Sequence, residues 1–539
     1  MKNIFSLLMV LIITGPVFSQ KSDGGNVLKK GTDEYKMFMA RQEFFGGDYR
    51  SALNKYKEVE KNRPNDAAVH FYIGECYYMM KTYEDALDEL EKAKSINPAA
   101  TAELSLVLGR TYHTRGMLDK AIDEFNIYRK TIADSPKKIA ESEVDVEIAQ
   151  CNTAKQMIAH PVDVRLISLL DINSQYDDKG PVLANNDKTL IFTSRRPSGD
   201  KSKIDLEGDY GFYDDVYESV WNDEKQTWSA ADLIRGPINT PGYDACNSIS
   251  ADGTMMFIYR NDPSEARGGE IFLAKKTTSG KWKNPEILPK PINTSYYEDA
   301  GCISPDGNTL YFVSERPGGL GRGDIYTSKK IPEGWSEPIN MGAPVNTPFD
   351  ENGLYLTPDG KTLFFCSNGP LSMGSYDIFR TVLGSDGKWT EPVNLGYPIN
   401  SVAMETKFVM TADKKTAYIS TVRDSGIGER DIVMVDISNY DAMAGATATS
   451  TAATAKLSGK IIGSDNSIIS AEIRILDKSL GTQITMTRSA EDGSYALEFP
   501  GDKLVIIEIA PEGYQKFSME MNLPAGKIES KTITLQKNN

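Results

Sequence analysis

The sequence predicts a multidomain α plus all-β protein: helical repeats first, then a ring of small sheets, then a β-sandwich. Three observations predict this order. Small and aromatic residues recur about every 34 residues near the N-terminal side, a tryptophan recurs every 53 or 54 residues in the middle, and short alternating strands follow a low-complexity stretch. Long, regular periods indicate one structural unit copied several times. A chain of 539 residues also exceeds one hydrophobic core, so about three domains are expected.

Residues 1–19 are typical of an export signal. Lys2 supplies the positive start, 4–13 is a short apolar run, and 17–19 places medium and small residues at the cleavage position. The mature chain is expected to begin at Gln20, and with no cysteine at that point no lipid anchor is expected. We therefore expect a periplasmic protein that is not a lipoprotein.

The composition argues against several classes of function. The net charge of −15 is spread along the chain, whereas nucleic-acid binding needs a basic face. The five cysteines form no short-range pairs and are expected to be small buried hydrophobic residues. Only three histidines occur, with no nucleophile elbow, metal-binding cluster or phosphate loop. We predict that the protein is not an enzyme and has no catalytic residue, cofactor, metal ligand or nucleic-acid partner.

Residues 32–158 carry three similar units of paired helices. The alanines that mark the units stand 34 and 35 residues apart, at Ala52, Ala86 and Ala121. Small residues let two helices cross closely, and a proline after each pair ends the second helix. The pattern resembles the tetratricopeptide repeat, which implies a concave face that binds peptides or partner domains. A packing spacer against the next domain is the alternative, and the amphipathic run at 137–158 is expected to cap the stack.

Three markers define the long repeat in residues 162–439. Tryptophans, expected to pack in the core or between units, stand at Trp228, Trp282, Trp335 and Trp389. Each is followed by a Pro-x-Asn triplet, with asparagines at Asn239, Asn293, Asn346 and Asn400. An Asp turn precedes a short strand five times, at Asp187, Asp252, Asp306, Asp359 and Asp413. About four strands per unit make one propeller blade. We predict five blades, with six as the alternative, and expect 162–178 to complete the last one.

Acidic residues recur just after each Pro-x-Asn turn. The series is Asp177/Asp178, Asp244, Glu298/Asp299, Asp350/Glu351 and Glu405. Our candidate site residues from this series are Asp178, Asp244, Asp299, Asp350 and Glu405. They either bind a cation or a basic peptide in the propeller channel, or form a structural clasp. In a clasp, each carboxylate would cap backbone amides or pair with an arginine such as Arg196, Arg260, Arg316 or Arg423.

The middle region has a family resemblance as well. The strings SPDGNTLYFVSERPGGLGRGDIY and TPDGKTLFFCSNGPLSMGSYDIF resemble the WD40-like repeats of TolB-type periplasmic propellers. The resemblance extends over the whole of 162–439 and implies a β-propeller fold. It says little about function, because the same fold serves many activities.

A linker and a small sandwich follow. Residues 441–455 are almost all Ala, Thr, Gly and Ser, which predicts a flexible linker. From 456 to 536, about seven short strands of period-two alternation predict a β-sandwich. This segment resembles the carboxypeptidase regulatory-like domain, of transthyretin-like fold, a non-catalytic accessory module in other proteins. The resemblance rests on Gly459, the Asp-Gly-Ser-Tyr string at 492–495, and Gly513-Tyr514.

The order of the segments is similar to that of envelope proteins from Bacteroidetes-type bacteria, among them PorE-like proteins associated with the type IX secretion system. The resemblance implies a scaffold associated with the outer membrane, which binds envelope proteins through its helical and propeller faces and is linked to secretion or gliding. Longer relatives add an OmpA-like domain that binds peptidoglycan. That domain does not follow the sandwich here, so direct peptidoglycan binding is not implied. Two alternatives stay open: a propeller that senses a carbohydrate or peptide, and a hydrolase with an acidic propeller centre.

Overall fold

A computed structural model describes most of the chain, in two compact units, Met1–Met443 and Ala444–Asn539. The described residues are 31–132, 138–199, 204–205, 211–250, 252–261, 269–423, 426–443, 454–478, 483–500, 504–511, 513–524 and 527–538. The predicted signal peptide at 1–19 and most of the predicted linker, 444–453, lie outside them.

The first unit begins with seven helices in its described residues. They are α1 (Asp33–Phe45), α2 (Tyr49–Asn62), α3 (Ala67–Met79), α4 (Tyr83–Ile96), α5 (Leu104–Thr114), α6 (Leu118–Ile132) and α7 (Lys138–Ala159). Capping side chains set the first three starts, because Thr32, Asp48 and Asp66 accept hydrogen bonds from backbone N–H groups of the first turn. Within the described part of the chain, none of these helices has the length and apolarity needed to cross a membrane.

Small residues let the paired helices approach closely, as predicted. Ala52, Ala86 and Ala121 are fully buried. A Cβ atom at Gly74 of α3 would lie 2.7 Å from Leu90 Cγ of α4, and one at Gly109 of α5 would lie 2.8 Å from Phe125 Cε1 of α6. Such distances are too short for real atoms, so glycine is required where the two helices of a pair cross.

The described chain from 165 to 436 is all β. Its strands are β1 (Arg165–Ser168), β2 (Asp178–Ala184), β3 (Thr189–Ser194), β4 (Asp215–Asn222), β5 (Thr227–Trp228), β6 (Asp232–Leu233), β7 (Tyr243–Ile249), β8 (Met255–Asn261), β9 (Glu270–Lys275), β10 (Glu286–Ile287), β11 (Glu298–Ile303), β12 (Thr309–Ser314), β13 (Asp324–Ile331), β14 (Gly334–Trp335), β15 (Ile339–Asn340), β16 (Glu351–Leu356), β17 (Thr362–Ser367), β18 (Asp377–Val382), β19 (Val393–Asn394), β20 (Glu405–Met410), β21 (Thr416–Thr421) and β22 (Asp431–Asp436).

These strands form five open antiparallel sheets of four or five strands. Sheet 1 contains β2–β6, sheet 2 β7–β10, sheet 3 β11–β15, sheet 4 β16–β19, and sheet 5 β20–β22 together with β1. Strand β1 pairs with β22, which confirms that a segment from the start of the region completes the last unit. The first strands lie side by side in the order β2, β7, β11, β16 and β20, and β20 lies next to β2 again.

The Pro-x-Asn asparagines join each turn to a neighbouring strand. Asn293 accepts a hydrogen bond from the Ile271 N–H at 2.9 Å and donates one to the Ile271 carbonyl at 2.8 Å. An amide side chain can replace a backbone group in this way because it carries both a donor and an acceptor. The same two contacts are made by Asn239 with Val216, Asn346 with Ile325, Asn400 with Ile378 and Asn173 with Ile432.

Tryptophans pack between sheets, as predicted. Trp228 of sheet 1 lies edge-on to Tyr418 of sheet 5, with ring centroids 5.9 Å apart. Trp389, between β18 and β19 of sheet 4, lies edge-on to Tyr311 of sheet 3 at 6.3 Å. The repeat tryptophans, of which Trp228 is buried and the others partly buried, therefore pack where one sheet meets the preceding one.

The second unit is all β in its described residues. Its strands are β23 (Thr454–Gly463), β24 (Glu472–Asp477), β25 (Gln483–Arg488), β26 (Ser494–Pro500), β27 (Leu504–Ile509), β28 (Phe517–Asn522), β29 (Ile528–Ser530) and β30 (Ile533–Leu535). One sheet contains β23, β26, β29 and β30, and the other contains β24, β25, β27 and β28. Residues of both sheets share one hydrophobic cluster, as in a sandwich. Strand β23 begins at Thr454 and Ala455 is buried, so the strand starts within the predicted linker.

Candidate functional site

Five buried carboxylates hold the turns that lead into the first strands. They stand at the first or second residue of each strand and have no exposed surface: Asp178, Asp244, Glu298, Glu351 and Glu405. Four positions earlier stands a serine or threonine, whose N–H and hydroxyl both donate to the carboxylate. In sheet 2 the Thr240 hydroxyl lies 2.6 Å from Asp244 Oδ2. Paired donors of this kind offset the cost of burying a charge.

Arginines complete four of the five arrangements. The pairs are Arg196–Asp178 and Arg260–Asp244 at 2.6 Å, Arg423–Glu405 at 3.3 Å, and Arg316–Glu298 at 3.5 Å. Each guanidinium also donates to the carbonyl just before the turn asparagine, as Arg423 does to Ile399 at 2.9 Å. One arginine thus fixes both the carboxylate and the turn. These contacts describe a structural clasp.

Sheet 4 departs from this pattern. Gly369 stands as far after Glu351 along the chain as Arg423 stands after Glu405. Glu351 accepts hydrogen bonds from the hydroxyls of Thr347 and Ser367, with no arginine paired to it among the described residues. Burial raises the pKa of Glu351 to about 8.

The loop that carries Gly369 contacts the helices instead. Gln150 of α7 donates to the carbonyls of Asn368 at 2.9 Å and Gly369 at 3.2 Å, and the Thr153 hydroxyl donates to Pro370 at 3.1 Å. Met373 is fully buried in the hydrophobic cluster of the helices. We call residues 368–373 the docking loop. Helix α7 therefore packs against α6 and also contacts this loop.

A buried histidine strengthens the same contact. His113 Nε2 donates to the Met373 carbonyl at 2.8 Å. Burial lowers the pKa of His113, but hydrogen bonds to Cys151 and Glu147 outweigh it and raise the pKa to about 10. The Nδ1 atom on the other side of the ring lies 3.9 Å from Glu147 Oε2.

The structure places the five predicted site residues in two kinds of position. Asp178, Asp244 and Glu405 belong to the clasps, whereas Asp299 and Asp350 stand one residue away from the clasp carboxylates of their sheets. Asp299 is half-buried, burial raises its pKa, and its Oδ2 accepts from the Tyr297 hydroxyl at 3.1 Å. Asp350 accepts from the Gly323 N–H at 3.2 Å. Neighbouring residues of a strand point to opposite faces, so the two members of each acidic pair differ in surroundings.

Lys407 is a buried charged residue that sequence analysis missed. From β20 its Nζ donates to the Leu354 carbonyl of sheet 4 at 2.5 Å and to the Asn247 carbonyl of sheet 2 at 2.8 Å. Burial lowers its pKa. The ammonium thus joins the first strands of three sheets. No neighbouring marker in the sequence distinguishes this lysine from a solvated one.

An exposed aromatic and cationic face lies on α1. Phe38 and Phe45 are 51% and 40% exposed. Arg41 stands between them on the same side of the helix, 4.5 Å from the Phe45 ring centroid, and pairs with Glu75 of α3 at 2.6 Å. We call Phe38, Arg41 and Phe45 the α1 face. Aromatic and arginine side chains are enriched at the centres of protein interfaces.

Comparison with known proteins gives a match to the helices. Residues 39–101 match the family model for the tetratricopeptide repeat. Over 99 residues the chain is 31% identical to BBSome complex member BBS4 of Bos taurus, and the match spans 18% of the length of each. The Mus musculus protein matches over the same length.

Two solved structures illustrate the structural likenesses. The type III secretion translocator chaperone SycD of Yersinia enterocolitica is 17% identical, with a TM-score of 0.22, over 25% of this chain and 97% of its own. The periplasmic gluconolactonase PpgL of Pseudomonas aeruginosa is 11% identical, with a TM-score of 0.27, over 65% and 86%. The family match and the pairing of the helices identify the seven helices at the start of the described chain as a tetratricopeptide repeat region. A large all-β region follows them.

Proposed function

We propose that this protein is a non-enzymatic periplasmic scaffold, which holds a protein partner on its repeat helices at a fixed orientation to a five-bladed propeller. The observation that carries the proposal is the contact of the docking loop with α5 and α7. Hydrogen bonds from His113, Gln150 and Thr153 and the buried Met373 side chain attach the array to sheet 4. The α1 face, at the first helix of the array, stays exposed.

Three contacts support the propeller. The first strands neighbour one another in a cyclic order, which five blades around one axis would produce. Strand β1 completes sheet 5, so the start and the end of the ring would share a blade. Lys407 reaches sheets 2 and 4 from sheet 5, which needs three first strands facing a common centre.

Envelope proteins are the proposed partners, at the outer membrane and in connection with type IX secretion or gliding. This part of the proposal rests on the export-signal pattern and on the resemblance in segment order to PorE-like proteins. The acidic series gives little support to a sensing site or a hydrolase, because the clasp carboxylates are buried and hydrogen-bonded.

Site-specific photocrosslinking tests the scaffold. A photoreactive amino acid replaces Phe38 on α1 in one variant and, as a matched control, Ile127 on α6 in another, because both side chains are exposed, at 51% and 43%. Incubation with envelope fractions is expected to give one discrete protein adduct at position 38 and none at 127. Absence of an adduct at position 38, or the same adducts at both positions, contradicts partner binding through the α1 face.

A further inference from the structure

Three potential metal ligands from consecutive helices meet beside α3. Glu60 lies near the end of α2, His70 near the start of α3 and Glu89 within α4, and their donor atoms all lie within 4.8 Å of one another. The His70 side chain is fully buried, while those of Glu60 and Glu89 are 26% and 20% exposed. A nitrogen ligand is thus buried behind two carboxylates that solvent can reach.

Both ring nitrogens of His70 face oxygen acceptors. Nε2 lies 2.9 Å from the Pro64 carbonyl oxygen, and Nδ1 lies 2.6 Å from Glu89 Oε2 and 3.8 Å from Glu60 Oε1. A neutral imidazole carries one N–H and can therefore donate a hydrogen bond to only one of these acceptors. The other nitrogen needs a cation at its acceptor: an additional proton, which fits the 2.6 Å between Nδ1 and Glu89 Oε2, or a metal ion, for which the Glu89 carboxylate has to move outward.

The second carboxylate favours the metal ion. A proton on Nδ1 forms a hydrogen bond with Glu89 only. Glu60 is then left with the half-exposed Lys92, whose Nζ lies 3.6 Å from Glu60 Oε1, as its cationic partner in this cluster. One divalent cation balances both carboxylates and takes the Nδ1 lone pair. His70 would then donate its Nε2–H to the Pro64 carbonyl, the backbone contact that orients metal-bound histidines.

We infer that Glu60, His70 and Glu89 form a site for a divalent transition-metal ion of the zinc type. Imidazole and carboxylate groups suit zinc, with a water molecule as fourth ligand. The ligands come from the second helix of the first pair and from both helices of the second pair, so the ion fastens two repeats together. No spacing in the sequence indicates the site, because its ligands lie on three helices and converge only when the repeats stack.

Cobalt(II) titration of the full-length chain tests the site. In buffer free of chelators, the wild-type protein is expected to take up one equivalent of Co²⁺ with the visible absorption of a four-coordinate site, and Zn²⁺ is expected to abolish the signal. Glu60→Gln and Glu89→Gln keep the side-chain shapes and are expected to weaken Co²⁺ binding about tenfold or more. Glu58→Gln is the matched control, because Glu58 is an exposed carboxylate of α2 that pairs with Lys36.

Circular dichroism of each variant checks that the helices remain folded. Zn²⁺ is also expected to raise the melting temperature of the wild-type protein but not that of the Glu89→Gln variant. Two results would overturn the site: no Co²⁺ absorption in the wild-type protein, or absorption that both ligand variants retain. Either result assigns the cluster to an ion pair of protonated His70.

Discussion

Sheet 4 and the other four sheets follow the same plan but balance the buried carboxylate differently. In sheets 1, 2, 3 and 5 an arginine pairs with it, whereas in sheet 4 Gly369 takes the corresponding place and Glu351 accepts only from uncharged donors, the Thr347 N–H and the Thr347 and Ser367 hydroxyls, among the described residues. The loop without the arginine is the one that docks on α7. A departure from a repeat can therefore mark the copy that has gained another contact.

The buried carboxylates with a paired arginine and the one without it differ in how the cost of burying a negative charge is offset. Burial raises the pKa of Asp244 and Glu405, and the paired guanidinium opposes that rise; removal of one partner of a buried ion pair is strongly destabilising. A buried carboxyl without a paired cation is protonated more easily, because burial disfavours its charged form. Burial accordingly raises the pKa of Glu351 to about 8. The comparison can therefore be tested by removing an arginine, by weakening the docking loop, and by changing pH.

The largest effect is expected from Arg423→Ala in sheet 5. The change leaves Glu405 buried without its guanidinium and is expected to lower the free energy of unfolding by about 3–5 kcal/mol. Urea unfolding followed by tryptophan fluorescence measures the loss. Arg235→Ala is the control and should change stability by less than about 0.5 kcal/mol, because the Arg235 side chain is 92% exposed. A loss below about 1 kcal/mol for Arg423→Ala would show that hydroxyl donors suffice in every sheet.

A smaller effect is expected from Met373→Ala in the docking loop. Truncation leaves a cavity among the helices and should cost about 2–3 kcal/mol, since Met373 is fully buried there. Hydrogen exchange is expected to accelerate in α5 and α7 while sheets 1–3 stay protected. The matched control in the same loop is Leu371→Ala, because Leu371 is 53% exposed. Unchanged exchange in both helices would mean that the loop does not hold the array.

The smallest effect is expected from pH, through Glu351. Its pKa rises from 4.5 to about 8 on folding, so the folded protein binds one more proton than the unfolded chain between these values. Stability should therefore fall as pH rises from 4.5 to about 8, by about 2 kcal/mol from this group between about pH 6 and pH 7.5. Glu351→Gln removes this contribution, and denaturation at several pH values compares the two proteins. Equal slopes for the wild-type and variant proteins would refute the raised pKa.

Sequence reasoning succeeded where a contact repeats with the chain. Each turn asparagine forms hydrogen bonds with the same backbone position of a strand, and each repeat tryptophan packs where one sheet meets the preceding one. The regular spacing of both residues could therefore be recognised in the sequence. Close helix crossings at Gly74 and Gly109 left an equally regular pattern. The pairing of β1 with β22 was also predicted, because residues near Asn173 repeat the turn motif.

Reasoning from the sequence was less successful for single contacts. It chose Asp299 and Asp350, whereas the clasp carboxylates are their neighbours Glu298 and Glu351, because adjacent residues face different surroundings and the sequence does not show which of them is turned inward. It gave no sign that Lys407 is buried, since the neighbours Thr406 and Phe408 fit a solvated lysine equally well.

The repeating units, their order and the residue types that close each turn follow from the sequence alone, because local periodicity and turn chemistry repeat with every copy of a unit. Which loop meets α7, and which side chains gather around His70, depends on the tertiary structure. Those contacts join residues far apart in the chain, and their distances depend on how the units stack. No local pattern records that stacking.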